Sequence, residues 1–155
     1  MKTILVQMAD RQWTEEALHL ACAMARNTES NVTLMRMIHA QHYSWLGTSL
    51  GYEMLSSDES DAIWAYKAVA QKYNVELRVQ PMQWISYVGA IVDASDQLDA
   101  EVVFANVPQR ALPLWRRFEI WDLRRQLEQR QRTLYLLDQP VQSMILAVQV
   151  GAINS

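Results

Sequence analysis

Five short apolar runs alternate with four longer amphipathic segments along most of the chain. The runs are predicted to be strands and cover residues 3–8, 31–38, 75–82, 101–105 and 133–137. The segments place apolar residues at helical spacing over residues 14–27, 58–73, 85–98 and 116–131. Strands joined through helices pair in parallel, because each crossover returns the chain to the same edge of the sheet. The order predicts an α/β fold: a doubly wound, mainly parallel five-stranded sheet flanked by four helices.

The chain has 155 residues, and half of them are hydrophobic, which is enough material for one α/β domain. We expect that domain at residues 1–138, followed by a C-terminal extension at 139–155. The net charge of −3 gives no reason to expect a nucleic-acid partner. No apolar run is long enough to span a membrane and no secretory signal opens the chain, so we expect a cytoplasmic protein with no membrane partner. The lone Cys22 excludes an intrachain disulfide and is predicted to be a buried, inert thiol.

Three residues predict where the first helix begins. Thr14 can cap a helix, and Glu15 and Glu16 would complement the helix dipole in its first turn. Ser57 or Asp58 is predicted to cap the second helix in the same way. Helical spacing predicts that the buried side of the first helix consists of Ala17, Leu20, Ala21, Met24 and Ala25.

Between Gly89 and Gly151 the chain has no glycine. That gap includes the residues after the fourth predicted strand, at the edge where doubly wound sheets bind ligands. A phosphate cradle needs backbone N–H groups held by dihedral angles that glycine adopts without steric penalty. Pro108 and Pro113 instead fix the backbone and remove two N–H donors. The sequence therefore disfavours a glycine-rich nucleotide site.

The fourth predicted helix has two contrasting faces. The face predicted to lie against the core carries Ile120, Leu123 and Leu127. The opposite face carries Phe118, Trp121, Arg117 and Arg125, and Leu112 and Trp115 precede it. Aromatic residues with arginine are enriched at protein interfaces, and Trp121 and Arg125 are spaced for a cation–π pair. Either these residues form a partner surface, with stacking on an anion or a base as a minor variant, or Trp115 and Phe118 belong to a non-helical lead-in that folds over the core.

Four segments carry a resemblance to a known family: residues 2–10 (Lys-Thr-Ile-Leu-Val-Gln-Met-Ala-Asp), 15–25, 32–38 and 98–104. Over about residues 1–138 the chain resembles the universal stress protein family. The resemblance implies the strand order 3-2-1-4-5 and homodimers that meet through edge strands.

ATP-binding members of that family carry Gly-x2-Gly-x9-Gly-Ser/Thr after the fourth strand. The matching positions here hold four different residues, Asn106, Gln109, Glu119 and Ile120. Glu119 would also place a negative charge near the phosphates. The acidic residue that ends the family's first strand aligns with Ala9, although Asp10 follows it. We therefore expect no ATP, no other cofactor and no metal.

Residues 143–150, Ser-Met-Ile-Leu-Ala-Val-Gln-Val, form a further strand-like run. An unpaired apolar strand exposes its backbone groups, so we expect an extra edge strand that pairs in this subunit or in another. Ile145 and Ala147 are predicted to lie at that interface. The run is also similar to the chain's own first strand. The alternative interpretation is that it is the start, or a vestige, of a second repeat, as in tandem members of the family.

Two functions of different classes remain open. The first is a non-enzymatic regulatory or interaction module in the stress response, which does not bind ATP and acts as a homodimer or through a protein partner. The second is a small-ligand sensor, possibly for a nucleotide, whose pocket is predicted at Ala9, Asp10, His39, Asn106, Gln109 and Arg110. His39-x-x-His42 would need a third ligand to hold a metal; a loop that packs its aromatic residues over the sheet edge is the alternative. No nucleophile elbow, Walker motif or metal-type Cys/His cluster occurs, so we do not expect an enzyme.

Overall fold

The computed structural model describes residues 1–39 and 56–137. The elements in these ranges are β1 (Thr3–Gln7), α1 (Arg11–Thr28), β2 (Asn31–His39), α2 (Ser57–Lys72), β3 (Leu77–Trp84), α3 (Tyr87–Gln97), β4 (Ala100–Phe104), α4 (Pro113–Gln129) and β5 (Thr133–Tyr135). All five predicted strands and all four predicted helices are present. The irregular aromatic loop was predicted at 39–57; His39 instead ends β2 and Ser57 begins α2. Residues 40–55 of that loop and the extension with Ile145 and Ala147 lie outside the described residues.

The five strands form one sheet in the order β3-β2-β1-β4-β5. All four neighbouring pairs are parallel. β1 lies at the centre, where Leu5 is opposite Thr33 of β2 and Val103 of β4. Pro81 lies in the edge strand β3, where a residue without an N–H is tolerated. The predicted parallel sheet and its strand order are confirmed.

Helices cover both faces of the sheet. Successive residues of a strand point to opposite faces, so Ile4 and Val6 pack in one apolar cluster and Leu5 packs in the other. The first cluster includes the buried residues of α1 and α2, and the second includes those of α3 and α4. Burial on both faces explains why β1 is a continuous apolar run rather than an alternating one.

Helix α1 begins one turn earlier than the sequence indicates. Asp10 is the N-cap, and its carboxylate accepts the Trp13 N–H at 3.0 Å. Thr14 is buried inside the helix, where its hydroxyl donates to the Asp10 carbonyl at 2.8 Å and accepts the Ala9 N–H at 2.9 Å. The prediction that Thr14 caps α1 is wrong because aspartate, a stronger cap than threonine, already stands where the chain leaves β1.

Two further predictions for α1 are wrong. Glu15 and Glu16 lie outside the first turn, because the helix begins at Arg11. Leu20 is 40% exposed, whereas Leu18, which was not predicted to be buried, lies in the core. Helical spacing is compatible with either Leu18 or Leu20 at the border of the buried stripe of α1. Which of the two is buried depends on how α1 packs within the domain.

The starts of α2 and α4 also differ from the predicted ones. Ser56, rather than Ser57 or Asp58, caps α2 in a capping box with Glu59: each side chain accepts the other residue's N–H at 3.2 Å. Helix α4 begins at Pro113, about one turn before its predicted start, since proline suits the first helical position.

We expect Asp10→Ala to lower the free energy of unfolding by about 1 kcal/mol, because the Trp13 N–H loses its acceptor. Asp10→Asn keeps a capping oxygen and should retain most of that stability. Urea denaturation of the three proteins measures both effects. An equal loss in the two variants would contradict the capping role.

Candidate functional site

The carboxyl ends of the central strands form the edge at which doubly wound sheets bind ligands. In this strand order the connections diverge between β1 and β4, so the crevice at the ends of these two strands is the expected ligand position. β1 ends at Gln7, and β4 ends at Phe104, opposite Val6. The side chains at these ends therefore determine what the crevice can hold.

The side chain of Gln7 bridges that crevice. Gln7 is 7% exposed, and its Oε1 accepts hydrogen bonds from the Tyr87 hydroxyl and from the Asn106 N–H, the latter at 2.8 Å. The three groups connect β1, α3 and the segment that follows β4. They satisfy one another inside the protein, so the chain's own polar groups occupy the centre of this edge. Neither Gln7 nor Tyr87 is predicted from the sequence as a site residue. The signal that could have indicated Gln7 is its position as a polar residue at the end of an apolar run.

Two buried groups, Tyr87 in this centre and Cys22 in the core beneath α1, keep their protons at neutral pH. Burial raises the pKa of the Tyr87 phenol well above its ordinary range, and the charge of Glu119 raises it further, while Arg116 acts in the opposite direction. The phenol is therefore a hydrogen-bond donor. Burial also raises the pKa of the Cys22 thiol to about 11, and Cys22 lies in the core as predicted. A protonated thiol is a poor nucleophile.

An ion pair holds the segment between β4 and α4. The Arg110 guanidinium donates to both carboxylate oxygens of Glu119, with distances of 2.8 Å from Nη2 to Oε1 and 3.3 Å from Nε to Oε2. Arg116 Nε donates to the Val107 carbonyl at 3.3 Å. Asn106 and Glu119, which stand at glycine positions of the family motif, are thus both engaged in contacts within the chain.

A cavity of about 310 Å³ lies beside the end of β1, between the starts of α1 and α2. Its described lining consists of Met8, Ala9, Arg11, Asp58, Glu59, Asp61, Ala62 and Tyr66. Glu59 pairs with Arg36 at 2.9 Å, and Arg11 pairs with Glu15 at 3.2 Å. The lining contains three carboxylates and one arginine. This excess of negative charge disfavours a phosphate and favours a neutral or cationic ligand.

A larger cavity of about 570 Å³ lies at the opposite edge, beside Asn31 and Glu76 at the starts of β2 and β3. Doubly wound sheets bind ligands at the carboxyl edge, so the smaller cavity is the better candidate despite its size.

The six residues predicted to line a pocket lie at the carboxyl edge in separate groups. Ala9 lines the smaller cavity and Asp10 caps α1 beside it. Asn106, Gln109 and Arg110 follow β4, where Gln109 is exposed. The sixth residue, His39, is the last residue of β2. Ligand binding by these residues stays a prediction.

Helix α4 and its N-cap carry exposed apolar side chains, here called the aromatic row: Leu112, Leu114, Trp115, Phe118 and Trp121. Each is between 53% and 76% exposed. The ring centroids are 6.3 Å apart for Trp115 and Phe118, and 5.8 Å apart for Phe118 and Trp121. Arg125 Cζ lies 4.9 Å from the Trp121 ring centroid, which confirms the predicted cation–π pair.

The opposite face of α4 is the core face, as predicted. Leu123 and Leu127 are fully buried, and Ile120 packs against the same cluster. The alternative that Trp115 and Phe118 form a non-helical lead-in over the core is wrong, because both lie within α4 and are exposed.

Within residues 1–39 and 56–137, no three His, Cys, Asp or Glu side chains are grouped so that they could hold a metal ion. In the same part of the chain, no helix combines the length and apolar character needed to cross a membrane. His42 lies outside the described residues, so the metal interpretation of His39-x-x-His42 is not tested.

We expect Gln7→Leu to destabilise the protein more than Tyr87→Phe. Leucine leaves two buried donors without an acceptor, at about 1–3 kcal/mol each, whereas phenylalanine leaves Gln7 still bonded to the Asn106 N–H. Chemical denaturation of the two variants gives the ranking. The reverse ranking would mean that Gln7 does not organise this edge.

No protein-family model matches the sequence, and no curated protein matches it. Several solved structures share its fold. A universal stress protein in complex with cAMP has a TM-score of 0.61 at 11% identity and covers 87% of this chain and 94% of its own. A universal stress protein family member from Burkholderia pseudomallei has a TM-score of 0.59 at 12% identity and covers 90% and 96%. The universal stress protein from Archaeoglobus fulgidus in complex with dAMP has a TM-score of 0.53 at 14% identity and covers 88% and 96%. On these likenesses and its own strand order, the chain has the universal stress protein fold.

Proposed function

We propose that this chain is a non-enzymatic regulatory or interaction module of the stress-protein type, which acts in the cytoplasm by forming a homodimer or by binding another protein. The observation that carries the proposal is the aromatic row on α4. Large exposed apolar side chains in contact with one another, beside arginine, are typical of protein interfaces.

The aromatic row has the composition of an interface hot spot. Tryptophan and arginine dominate such sites, and the Trp121–Arg125 pair is already arranged before any partner binds. The rings of Phe118 and Trp121 lie side by side, so a partner would meet a continuous apolar surface. Pre-arranged side chains lose less entropy on binding, which favours association.

Three features support a function without ATP. The family's glycine positions hold other residues, and Pro108 and Pro113 remove backbone donors nearby. The Arg110 guanidinium is already paired with Glu119, so a phosphate would have to compete with that carboxylate for it.

The protonation states of buried groups support a role other than catalysis. The Tyr87 phenol and the Cys22 thiol both have raised pKa values, so neither supplies an anionic nucleophile at neutral pH. Among the described carboxylates at the carboxyl edge, Glu59 and Glu119 take part in ion pairs, Asp58 and Asp61 line the acidic cavity, and Asp10 caps α1.

A small-ligand sensor is the second candidate. It is supported by the cavity of about 310 Å³ beside β1 and by the cAMP and dAMP complexes among structures with the same fold. The acidic lining at Asp58, Glu59 and Asp61 favours a ligand without phosphate.

We expect Trp121→Ala to weaken association by about tenfold or more, because truncating an interface tryptophan removes a large share of the binding energy. Its folding stability should change by less than about 0.5 kcal/mol, since the side chain is exposed. Sedimentation velocity over a concentration series measures association, with native mass spectrometry of protein freshly purified from cells to detect partners.

Trp64→Ala is the matched control. Trp64 is 73% exposed on α2, with the Lys67 ammonium 5.7 Å from its ring, so it reproduces an exposed tryptophan beside a cation. Association that is unchanged in Trp121→Ala, or weakened equally in both variants, would contradict the proposed surface.

We expect ATP to leave the melting temperature unchanged, because the chain lacks the phosphate cradle. Thermal unfolding with a panel of nucleotides and metabolites checks this. A shift with ATP would overturn the ATP-independent function, and a shift with another compound that Asp58→Asn alters would favour the sensor.

A further inference from the structure

Two exposed arginines, Arg117 and Arg124, border the aromatic row and are here called the arginine flank. They lie seven positions apart on α4, close to two helical turns, so both stand on the same side of the helix. Their separation along the helix axis is about 10 Å at about 1.5 Å per residue. Within residues 1–39 and 56–137, no hydrogen bond or ion pair reaches either guanidinium group. The row therefore stands beside two positive charges that are available to a partner.

The arginine flank differs from the other arginines of this region. Residues 110–132 contain seven Arg and three Asp or Glu, a net charge of +4, although the whole chain has a net charge of −3. Four of these arginines pair with carboxylates of the chain: Arg110, Arg125, Arg130 and Arg132. Another, Arg116, donates to the Val107 carbonyl. The surplus positive charge is thus concentrated beside the exposed rings, where it favours an acidic partner.

The spacing of the two arginines indicates the form of that partner. Residues seven apart on a second helix are also about 10 Å apart, so two carboxylates at such positions match both guanidinium groups. Residues on one face of a strand lie about 7 Å or about 13 Å apart, which fits less well. An amphipathic helix also presents an apolar side to the rings. The surface therefore suits a helix with an apolar face bordered by acids.

A second copy of this chain fits the surface less well. In a two-fold symmetric contact the same patch stands on both sides of the interface. The arginine flank would then face a segment that is itself net positive, in which Asp122 is already bonded to Arg125 and Gln126. Like charges across an interface oppose association. The complementary negative charge has to come from a different chain.

An anionic membrane also attracts apolar rings beside arginine, but α4 suits it less well. A bilayer presents negative charge to the whole outward face of a helix. On α4 the partly exposed Asp122 and the exposed Glu128 stand close to the arginine flank, and a bilayer would repel both carboxylates. A folded partner can instead place its carboxylates beside Arg117 and Arg124 alone.

We propose that the aromatic row and the arginine flank bind an acidic amphipathic helix of another protein. The apolar side of that helix covers the rings of Phe118 and Trp121, and its carboxylates pair with Arg117 and Arg124. This inference rests on the proposed function, because it uses the same surface, and it narrows the partner to an acidic helical segment. The rings supply affinity, and the arginine flank supplies specificity.

Two designed peptides test the charge preference of the full chain. Both are amphipathic helices of about five turns with leucine and tryptophan on one face. One peptide carries glutamates seven positions apart beside that face, and the other carries lysines there. Fluorescence polarisation should show the acidic peptide binding at least about tenfold more tightly. Raising the salt from about 0.1 M to about 1 M should reduce the difference, because the Debye length falls from about 10 Å to about 3 Å. Equal binding of the two peptides, or binding of neither, would overturn the proposal.

Charge reversal tests whether the arginine flank causes the preference. Arg117→Glu combined with Arg124→Glu should weaken binding of the acidic peptide by about tenfold or more and strengthen binding of the basic one. An unfolded variant would lose both, so an inverted preference cannot come from misfolding. Lys67→Glu is the matched control, since Lys67 is exposed on α2 with its ammonium 5.7 Å from the Trp64 ring, and it should change neither affinity. A preference that persists in the double variant would refute the arginine contacts.

Further measurements separate the competing partners. Cosedimentation with vesicles of phosphatidylcholine and phosphatidylserine that is lost in Trp121→Ala would assign the row to a membrane and overturn the proposal. If Trp121→Ala weakens association while the peptides show no charge preference, only the class of partner is wrong and the proposed function stands. Binding of the acidic peptide that does not depend on Trp121 would contradict both.

Discussion

Burial of β1 on both faces is the constraint on which the rest of the structure depends. Ile4 and Val6 belong to the cluster beneath α1 and α2, while Leu5 belongs to the cluster beneath α3 and α4. A shift of one residue in the pairing with β2 or β4 would exchange these side chains between the two cores. The register of one short strand thus positions both helical layers, and with them the carboxyl edge and the outward face of α4.

The same strand, β1, also determines which polar contacts form at the carboxyl edge of the sheet. Its last residue, Gln7, turns a position that could face a ligand into a bridge to Tyr87 and Asn106. Arg110 and Glu119 close the adjacent segment with opposite charges. The carboxyl edge is thus stabilised by contacts within the chain. Open space at this edge lies beside α2, and its lining is acidic.

Helix α4 has one face buried in the core and an opposite face that exposes large apolar side chains. Leu123 and Leu127 attach it to the sheet, which leaves the residues on the other side without a role in the core. Exposed aromatic residues give little to folding stability, so their contacts with one another and with Arg125 point to a role in association. The proposed association through this surface needs no change in the fold, because only the outward face of α4 is involved.

The sequence by itself determined the order and type of the elements, and the two faces of α4. Apolar periodicity is a local property, and a helix at Ile120, Leu123 and Leu127 has only one way to bury them. The resemblance supplied the strand order, which the structure confirms. The local signals placed the cap of α1 at Thr14, although Asp10, a stronger capping residue, stands four positions earlier and is the cap in the structure.

Only the tertiary structure decided which flank of α1 is buried, and that Gln7, Tyr87 and Asn106 meet. Gln7 lies 80 positions from Tyr87 and 99 from Asn106, so no local pattern can pair them. The pairing of Arg110 with Glu119 likewise depends on how the chain turns into α4. Contacts across such separations follow from the packing of helices on the sheet, which the sequence encodes only through the fold as a whole.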